Sequence, residues 1–319
     1  MDKFNNFANK LISTEGISKK EWLEYRQKGI GGSDIASVVG INPWSSPLAV
    51  YYSKIEKVPE LEEENLPAEL GIYNEPFIRT KFEKWFLENE GMSVKVQLIP
   101  YILQHPTNKI ALANLDGFIV NPLLKEEAII ECKMTSERNY TNWRDENLPD
   151  YYFLQIMWYL YVTNCKKCYL CTLVGNNKFV VTVIERNEDV INSIVEKANY
   201  FWTNFIEKKV LPAPSGDDSS KDILDKMYKA EEGKEIILED KLVDSIRIIL
   251  DLKKKVTEIT QEIELNQQLI KAEMKTATLA HCGKYIITWK ETIKKEYLCK
   301  ATTYRVLRIK KDEERMNVI

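Results

Sequence analysis

The 319 residues suffice for one large core or two modest ones, and apolar and charged fractions of 44% and 29% are those of an ordinary folded globular chain. A formal net charge of -3 excludes nucleic-acid binding through bulk basic character, so such a partner would have to meet a local patch. Met1 to Lys10 lacks the apolar core of a signal peptide, and the most apolar run, Tyr151 to Val162, is too short for a bilayer and is broken by Gln155; a cytoplasmic location is expected. The cysteines, Cys132, Cys165, Cys168, Cys171, Cys282 and Cys299, are then expected as reduced thiols.

The first predicted element is a short helix from Ser18 to Gln27, with Ser18 as cap and Glu21 three residues on as its capping-box partner. Gly29-Ile30-Gly31-Gly32 makes a glycine-rich turn, and Ser33-Asp34 opens a helical run from Ile35 to Val39 that Gly40 and Asn42-Pro43 close. No strand precedes the turn and its glycine spacing is not that of a dinucleotide fingerprint. A helix amino terminus fronted by free backbone and a hydroxyl, with Arg26 seven residues before Ser33, suits a phosphate monoester; equally, Ser33 could do no more than cap the helix. A polar, acidic linker is expected from Glu56 to Glu69. A helix follows that carries Ile78, Phe82, Trp85 and Phe86 on its core face, with Pro76 near its first turn and Glu75 at its amino-terminal end, where the dipole favours a carboxylate.

Strands are predicted at Val94 to Leu98 and Tyr101 to Leu103, and then comes the most informative stretch, Asn114 to Ser136. Asp116, followed by Gly117 and the β-favouring Phe118, Ile119 and Val120, precedes an Ile-Ile-Glu-Cys-Lys run that reads as a buried strand. Side chains alternate along a strand, so Glu131 and Lys133 share one face while Cys132 packs on the other. Two carboxylates and an ammonium then converge. Burying them unpartnered would cost several kcal/mol, so either they satisfy one another or the acids hold a divalent cation with the lysine beside it. Mg²⁺ suits such a site, because it keeps several waters and takes one or two carboxylates plus phosphate oxygens. Taken alone, the pattern also fits an Asp-Gly turn beside a solvated strand face.

From about Asp150 to Val162 a helix is apolar nearly all round and therefore buried against the sheet, with Gln155 its lone polar interior residue; a buried amide needs partners, and the cleft can supply them. Strands follow at Cys168 to Val174 and Phe179 to Ile184. Cys165, Cys168 and Cys171 have metal-ligand spacing, but Cys168 to Val174 reads as a buried strand, in which cysteine behaves as a small apolar residue, and no cysteine precedes Cys132, itself committed to the site strand, to serve as a fourth ligand, so no iron–sulfur cluster is expected; His105 and His281 are too few and too far apart in sequence for zinc. Leu211 to Asp218 is a linker by composition. A long helix from about Glu239 to Thr276 spaces Leu252, Val256, Ile259, Ile263, Ile270 and Met274 by threes and fours, as half of a coiled coil or as part of a helical hairpin on its own domain. A strand pattern runs from Tyr285 to Trp289. In the tail Lys284, Lys290, Lys294, Lys295, Lys300, Arg305, Arg308, Lys310 and Lys311 outnumber Glu291, Glu296 and Asp312, a basic excess that fits either a DNA backbone contact or a solvated face.

The ordered set of Arg26 and Ser33 around a glycine turn, Gly71 to Glu75, Leu115-Asp116-Gly117, Glu131-Cys132-Lys133 and Tyr152 to Gln155 resembles the phage exonucleases of lambda-exonuclease type, the YqaJ-like viral recombinases of the PD-(D/E)xK nuclease superfamily. The resemblance covers roughly Glu21 to Lys209. Leu115 stands where the superfamily often has proline, a difference in backbone shape rather than chemistry.

The resemblance implies an α/β chain: a PD-(D/E)xK restriction-endonuclease-like core, a central mixed sheet flanked by helices, with a helical carboxy-terminal extension. The expected division is 1–210 nuclease domain, 211–235 linker and 236–319 extension with a short strand and basic tail. By the same resemblance Asp116, Glu131 and the backbone carbonyl of Cys132 ligate Mg²⁺, for which Mn²⁺ could substitute. Lys133 orients or deprotonates the attacking water, Glu75 serves a second metal or that water, Gln155 holds the site, and Arg26 and Ser33 bind the 5′ phosphate. The implied activity is digestion of linear double-stranded DNA from the 5′ end, leaving 3′ single strands for an annealing protein of RecT type, by a phage- or prophage-encoded enzyme that could form a trimeric ring. An endonuclease or nickase of the superfamily, or a non-catalytic DNA-end-binding scaffold, are the alternatives.

Overall fold

The computed structural model describes residues 8–56, 65–120, 127–140, 148–293 and 306–309. The chain divides into two compact units between Met227 and Tyr228.

In the first unit β1 (Asn9–Ser13) leads to α1 (Lys19–Arg26), which begins as expected where the Ser18 hydroxyl accepts the Glu21 amide at 3.1 Å. The next helix, α2 (Gly32–Val39), starts one residue before Ser33. Its cap residue is Gly31, whose amide donates to the Asp34 carboxylate at 2.8 Å, so the side chain that closes this helix start is Asp34 and not Ser33. In α3 (Pro47–Ile55) Ser46 caps and Pro47 fills the first turn.

The following helix corrects the sequence reading. α4 (Leu66–Glu90) begins at Leu66, inside the expected linker, with Pro67 in its first turn and the Asn65 side chain accepting the Ala68 amide at 3.1 Å. Pro76 is interior to the helix, and Glu75 therefore lies well away from its amino terminus, where the dipole no longer acts on it. Residues 57–64 of the expected linker lie outside the described residues.

The strands β2 (Lys95–Gln97), β3 (Tyr101–Gln104), β4 (Leu112–Ala113), β5 (Gly117–Val120) and β6 (Ala128–Thr135) follow, then the short α5 (Glu137–Tyr140) and α6 (Asp150–Thr163). β7 (Lys167–Val174), β8 (Lys178–Glu185) and α7 (Glu188–Phe201) come next, the last continuing into a π-helical turn at Trp202–Glu207. The main sheet has the order β2-β5-β6-β7-β8, with β6 and β7 parallel and the other pairs antiparallel, and β1-β3-β4 form a smaller sheet. Alternation divides the core into two layers. On one face Ile129, Cys168 and Leu170 meet Ile156, Met157 and Leu160 of α6; on the other Ile130, Cys132 and Tyr169 meet Ile78, Phe82 and Phe86 of α4. The result is the mixed, helix-flanked sheet expected.

The segment expected as a linker, 211–235, contains α8 (Asp218–Met227). Asp217 starts this helix by accepting the Ser220 amide at 2.7 Å, and Ser219 bonds the Ser46 hydroxyl at 3.3 Å. The second unit holds α9 (Val243–Met274) and a hairpin of β9 (Leu279–Cys282) and β10 (Tyr285–Thr288). Lys294, Lys295, Lys300, Arg305, Lys310 and Lys311 of the basic tail, with Glu296, Asp312 and Cys299, lie outside the described residues. Among the described residues no helix is long and apolar enough to cross a membrane.

Candidate active site

β5 begins at Gly117, which pairs with Ile130, so the ladder leaves the Cys132 amide without a strand partner on that side. The carboxylate of Asp116, one residue before the strand, takes that place and accepts the Cys132 amide at 2.7 Å. Gly117 is required for this approach, because a Cβ there would stand 2.3 Å from Val96 and 2.7 Å from Ile130. On the next strand Glu131 is buried, and its Oε1 accepts the Lys133 ammonium at 2.6 Å and the Gln155 amide at 2.7 Å. Gln155, one turn on from Tyr151 in α6, also donates to the Tyr159 hydroxyl at 3.0 Å. The Lys133 ammonium lies 5.1 Å from the Tyr152 ring centroid. Asp116, Glu131, Lys133 and Gln155 are thus brought together, with Cys132 turned into the opposite apolar layer, as strand alternation requires.

Glu75 reaches the same region from α4. Its carboxylate pairs with Arg79 one turn on at 3.2 Å, and the same guanidinium nitrogen donates to the Asp116 backbone carbonyl at 3.1 Å. Arg79 escaped the sequence reading because an arginine four residues after a glutamate on a helix looks like an ordinary surface ion pair. What distinguishes it is its 12% exposure and the bond to the loop that carries Asp116.

Burial dominates the electrostatics of the site. Burial and the neighbouring Asp116 carboxylate push Glu131 up, and burial likewise raises Asp116 despite Lys133 and the Cys132 amide. Glu75 is raised by burial and by Asp116. Burial alone would lower Lys133, but Glu131 outweighs it and holds the ammonium above the ordinary lysine range. Glu131 Oε2 is buried and has no hydrogen-bond partner. An orphaned carboxylate oxygen near a second buried carboxylate is what a divalent cation would satisfy, so the donor set fits one. Among the described residues no group of three or more His, Cys, Asp or Glu side chains is placed to hold a metal ion.

Arg26 and Ser33 also meet. The Arg26 guanidinium, packed 5.0 Å from the Trp22 ring centroid, donates to the Ser33 hydroxyl at 2.9 Å and pairs with Asp34 at 3.2 Å. Lys54 reaches the same Asp34 oxygen at 2.7 Å. Burial would raise Asp34, yet Lys54 and Arg26 outweigh it and hold the carboxyl well below the usual range. The turn is fixed to α6 from two sides. The Trp158 indole donates to the Ile30 and Leu112 carbonyls at 3.1 and 3.0 Å, and Gly32 lies against Tyr159, whose ring would be 2.3 Å from any Cβ placed there. Tyr159 thereby touches the glycine turn with its ring and Gln155 with its hydroxyl, joining the two groups of site residues.

The cysteines do not converge. Cys168 packs with Cys165 in the α6 layer, whereas Cys171 faces the α4 layer beside Cys132, and burial pushes all these thiols up. His105 stacks on Tyr161 with centroids 4.2 Å apart.

The model of the YqaJ-like viral recombinase domain matches residues 21–166, the span that contains every site residue just described. Over 289 residues the chain is 33% identical to the uncharacterized protein YqaJ of Bacillus subtilis (strain 168), covering 90% of this chain and 88% of that protein. Among solved structures, the alkaline exonuclease LHK-Exo from Laribacter hongkongensis superposes with a TM-score of 0.47 at 18% identity, over 60% of this chain and 94% of its own. A phage-related exonuclease from Haemophilus somnus 129PT gives 0.41 at 13% identity, over 57% and 96%. The extended identity to YqaJ, together with the domain match, shows that the chain belongs to the YqaJ-like viral recombinase family.

Proposed function

We propose that this chain is a divalent-metal-dependent exonuclease that digests linear double-stranded DNA from the 5′ end and leaves 3′ single strands for an annealing protein of RecT type. The observation that carries this reading is the buried, unpartnered Glu131 Oε2 beside Asp116 and Lys133. Asp116 and Glu131 would hold Mg²⁺, or Mn²⁺ in its place. The Cys132 carbonyl lies on the same strand edge as the amide that Asp116 accepts and would complete the protein's share of ligands. When bound, the cation supplies polarisation of the scissile phosphate and neutralisation of the leaving oxygen. Lys133, kept cationic by Glu131, acts as a donor that orients the attacking water and steadies phosphate charge; to act as a base it would first have to lose the proton that Glu131 helps it keep. Gln155 fixes the Glu131 carboxylate through Oε1, and Oε2 would be left for the cation. Glu75, tethered by Arg79, stands ready as a further acid for water or a second ion.

Arg26 and Ser33 would receive the terminal 5′ phosphate. The guanidinium and hydroxyl already face each other, and the α2 amino terminus adds backbone N–H groups and a partial positive charge. A terminal monoester carries up to one more negative charge than an internal diester, which sets a preference for the end. The test is digestion of duplexes labelled at the 5′ or the 3′ end, beside a covalently closed circle, with Mg²⁺. Early release of the 5′ label from linear duplex and an intact circle are expected; cleavage of the circle, or early release of the 3′ label, would contradict the reading.

A further inference from the structure

The second unit presents a long apolar face. Leu252, Val256, Ile259 and Ile263 of α9 are 53%, 62%, 56% and 54% exposed, and Ile248 and Leu269 are equally open. An amphipathic helix draws most of its stability from packing of that face rather than from its backbone bonds, and contiguous apolar patches of this extent on soluble proteins mark interaction surfaces. Ile249, Leu252, Val256, Ile259, Ile263, Asn266 and Ile270 follow alternating spacings of three and four, the seam of a coiled coil.

We propose that this face joins two copies of the chain by pairing their α9 helices antiparallel. The sequence of the helix selects both occupant and direction. With a two-fold axis between Thr257 and Glu258, Val256 meets Ile259 of the second copy and Leu252 meets its Ile263, each contact made twice. On the flank Lys255 then stands beside Glu262 of the second copy, and Ile248 beside its Leu269, so one arrangement yields two ion pairs and a wider apolar contact. A parallel, in-register pair would instead set Lys255 beside Thr260, Glu262 beside Gln267 and the apolar Ile248 beside Lys253, with no ion pair formed. Lys255 is available for the exchange, since its bond to Asp251 at 2.8 Å joins two side chains more than half exposed. Asn266, which falls opposite Ile249, already donates its amide to the Glu262 carbonyl of its own helix at 2.8 Å.

Sedimentation equilibrium of the full chain at low salt tests this. The unsubstituted protein is expected to have twice the mass of the Val256→Asp, Ile259→Asp double variant. Lys255→Glu and Glu262→Lys leave the apolar face intact and report on direction. Each alone should weaken association by about fivefold, through two symmetric like-charge contacts, and the two together should restore it to within about twofold. Equal mass for the unsubstituted protein and the aspartate variant would overturn the pairing. A combined charge reversal no tighter than either single change would overturn its antiparallel direction.

Discussion

Glu131 gathers the hydrogen bonds and the charge of the candidate site on one carboxylate. Its Oε1 is saturated by Lys133 and Gln155 while its Oε2 is left bare, and its pKa is raised by burial and by Asp116 to about 8 from an ordinary 4.5. Because the folded chain holds this proton more tightly than the unfolded one, metal-free protein binds more protons when folded between about 4.5 and about 8, and its stability falls as pH rises through that window. Asp116 and Glu75 shift in the same direction and add to the slope. Thermal unfolding in chelator across this range should show the decline, with a flatter profile for Glu131→Gln; a stability that rises with pH in both proteins would contradict the assignment. Arg79 makes the second residue-scale case. Its loss unpairs the buried-side contacts of Glu75 and of the Asp116 carbonyl, so Arg79→Ala should cost about 1–3 kcal/mol of stability and lower turnover more than it alters KM. Arg79→Lys should recover only part, since a single ammonium does not reproduce the guanidinium's two-way reach; full recovery would reduce Arg79 to a generic positive charge.

The glycine turn and α6 form one block. Trp158 holds the Ile30 and Leu112 carbonyls, and Gly32 leaves room for the Tyr159 ring. Gly32→Ala should therefore destabilise by about 1–3 kcal/mol through overpacking and slow digestion as well, because the displaced Tyr159 also holds Gln155. Unfolding midpoints and rates measured on the same preparation check this, and an unaltered rate would uncouple the turn from the acid site. β6 and α6 were legible in the sequence because their signals are local: a β-branched run with alternating faces, and a helix apolar on every side. α4 was not, because Pro76 looks like a first-turn proline and Leu66-Pro67 follows an acidic stretch; only the tertiary contact of its Ile78 and Phe82 with β6 and β7 makes the longer helix worthwhile. α8 was hidden by the Pro- and Gly-rich composition ahead of it, although Asp217 is a good cap. The acid–acid–lysine set could be read because two strands place it; Arg79 and Tyr159 could not, since their roles depend on which helix faces which sheet surface.

At the scale of the whole molecule, the first unit carries both the acid site and the Arg26–Ser33 pair, connected through Tyr159, and that connection is what would turn phosphodiester hydrolysis into digestion from an end. Arg26→Ala and Ser33→Ala should slow digestion of 5′-phosphorylated duplex and make the protein nearly indifferent to whether that end is phosphorylated or hydroxyl. Initial rates on the two substrates decide it, and full preference retained by Arg26→Ala would leave the pair as no more than a braced turn. The most direct test of the central claim is single-turnover digestion of end-labelled linear duplex in Mg²⁺ by the unsubstituted protein, Asp116→Asn and Glu131→Gln. The account predicts digestion that stops with chelator and falls by at least about 10²-fold in each variant, with duplex binding retained. Digestion that persists in either variant, or that proceeds unchanged in chelator, would contradict it.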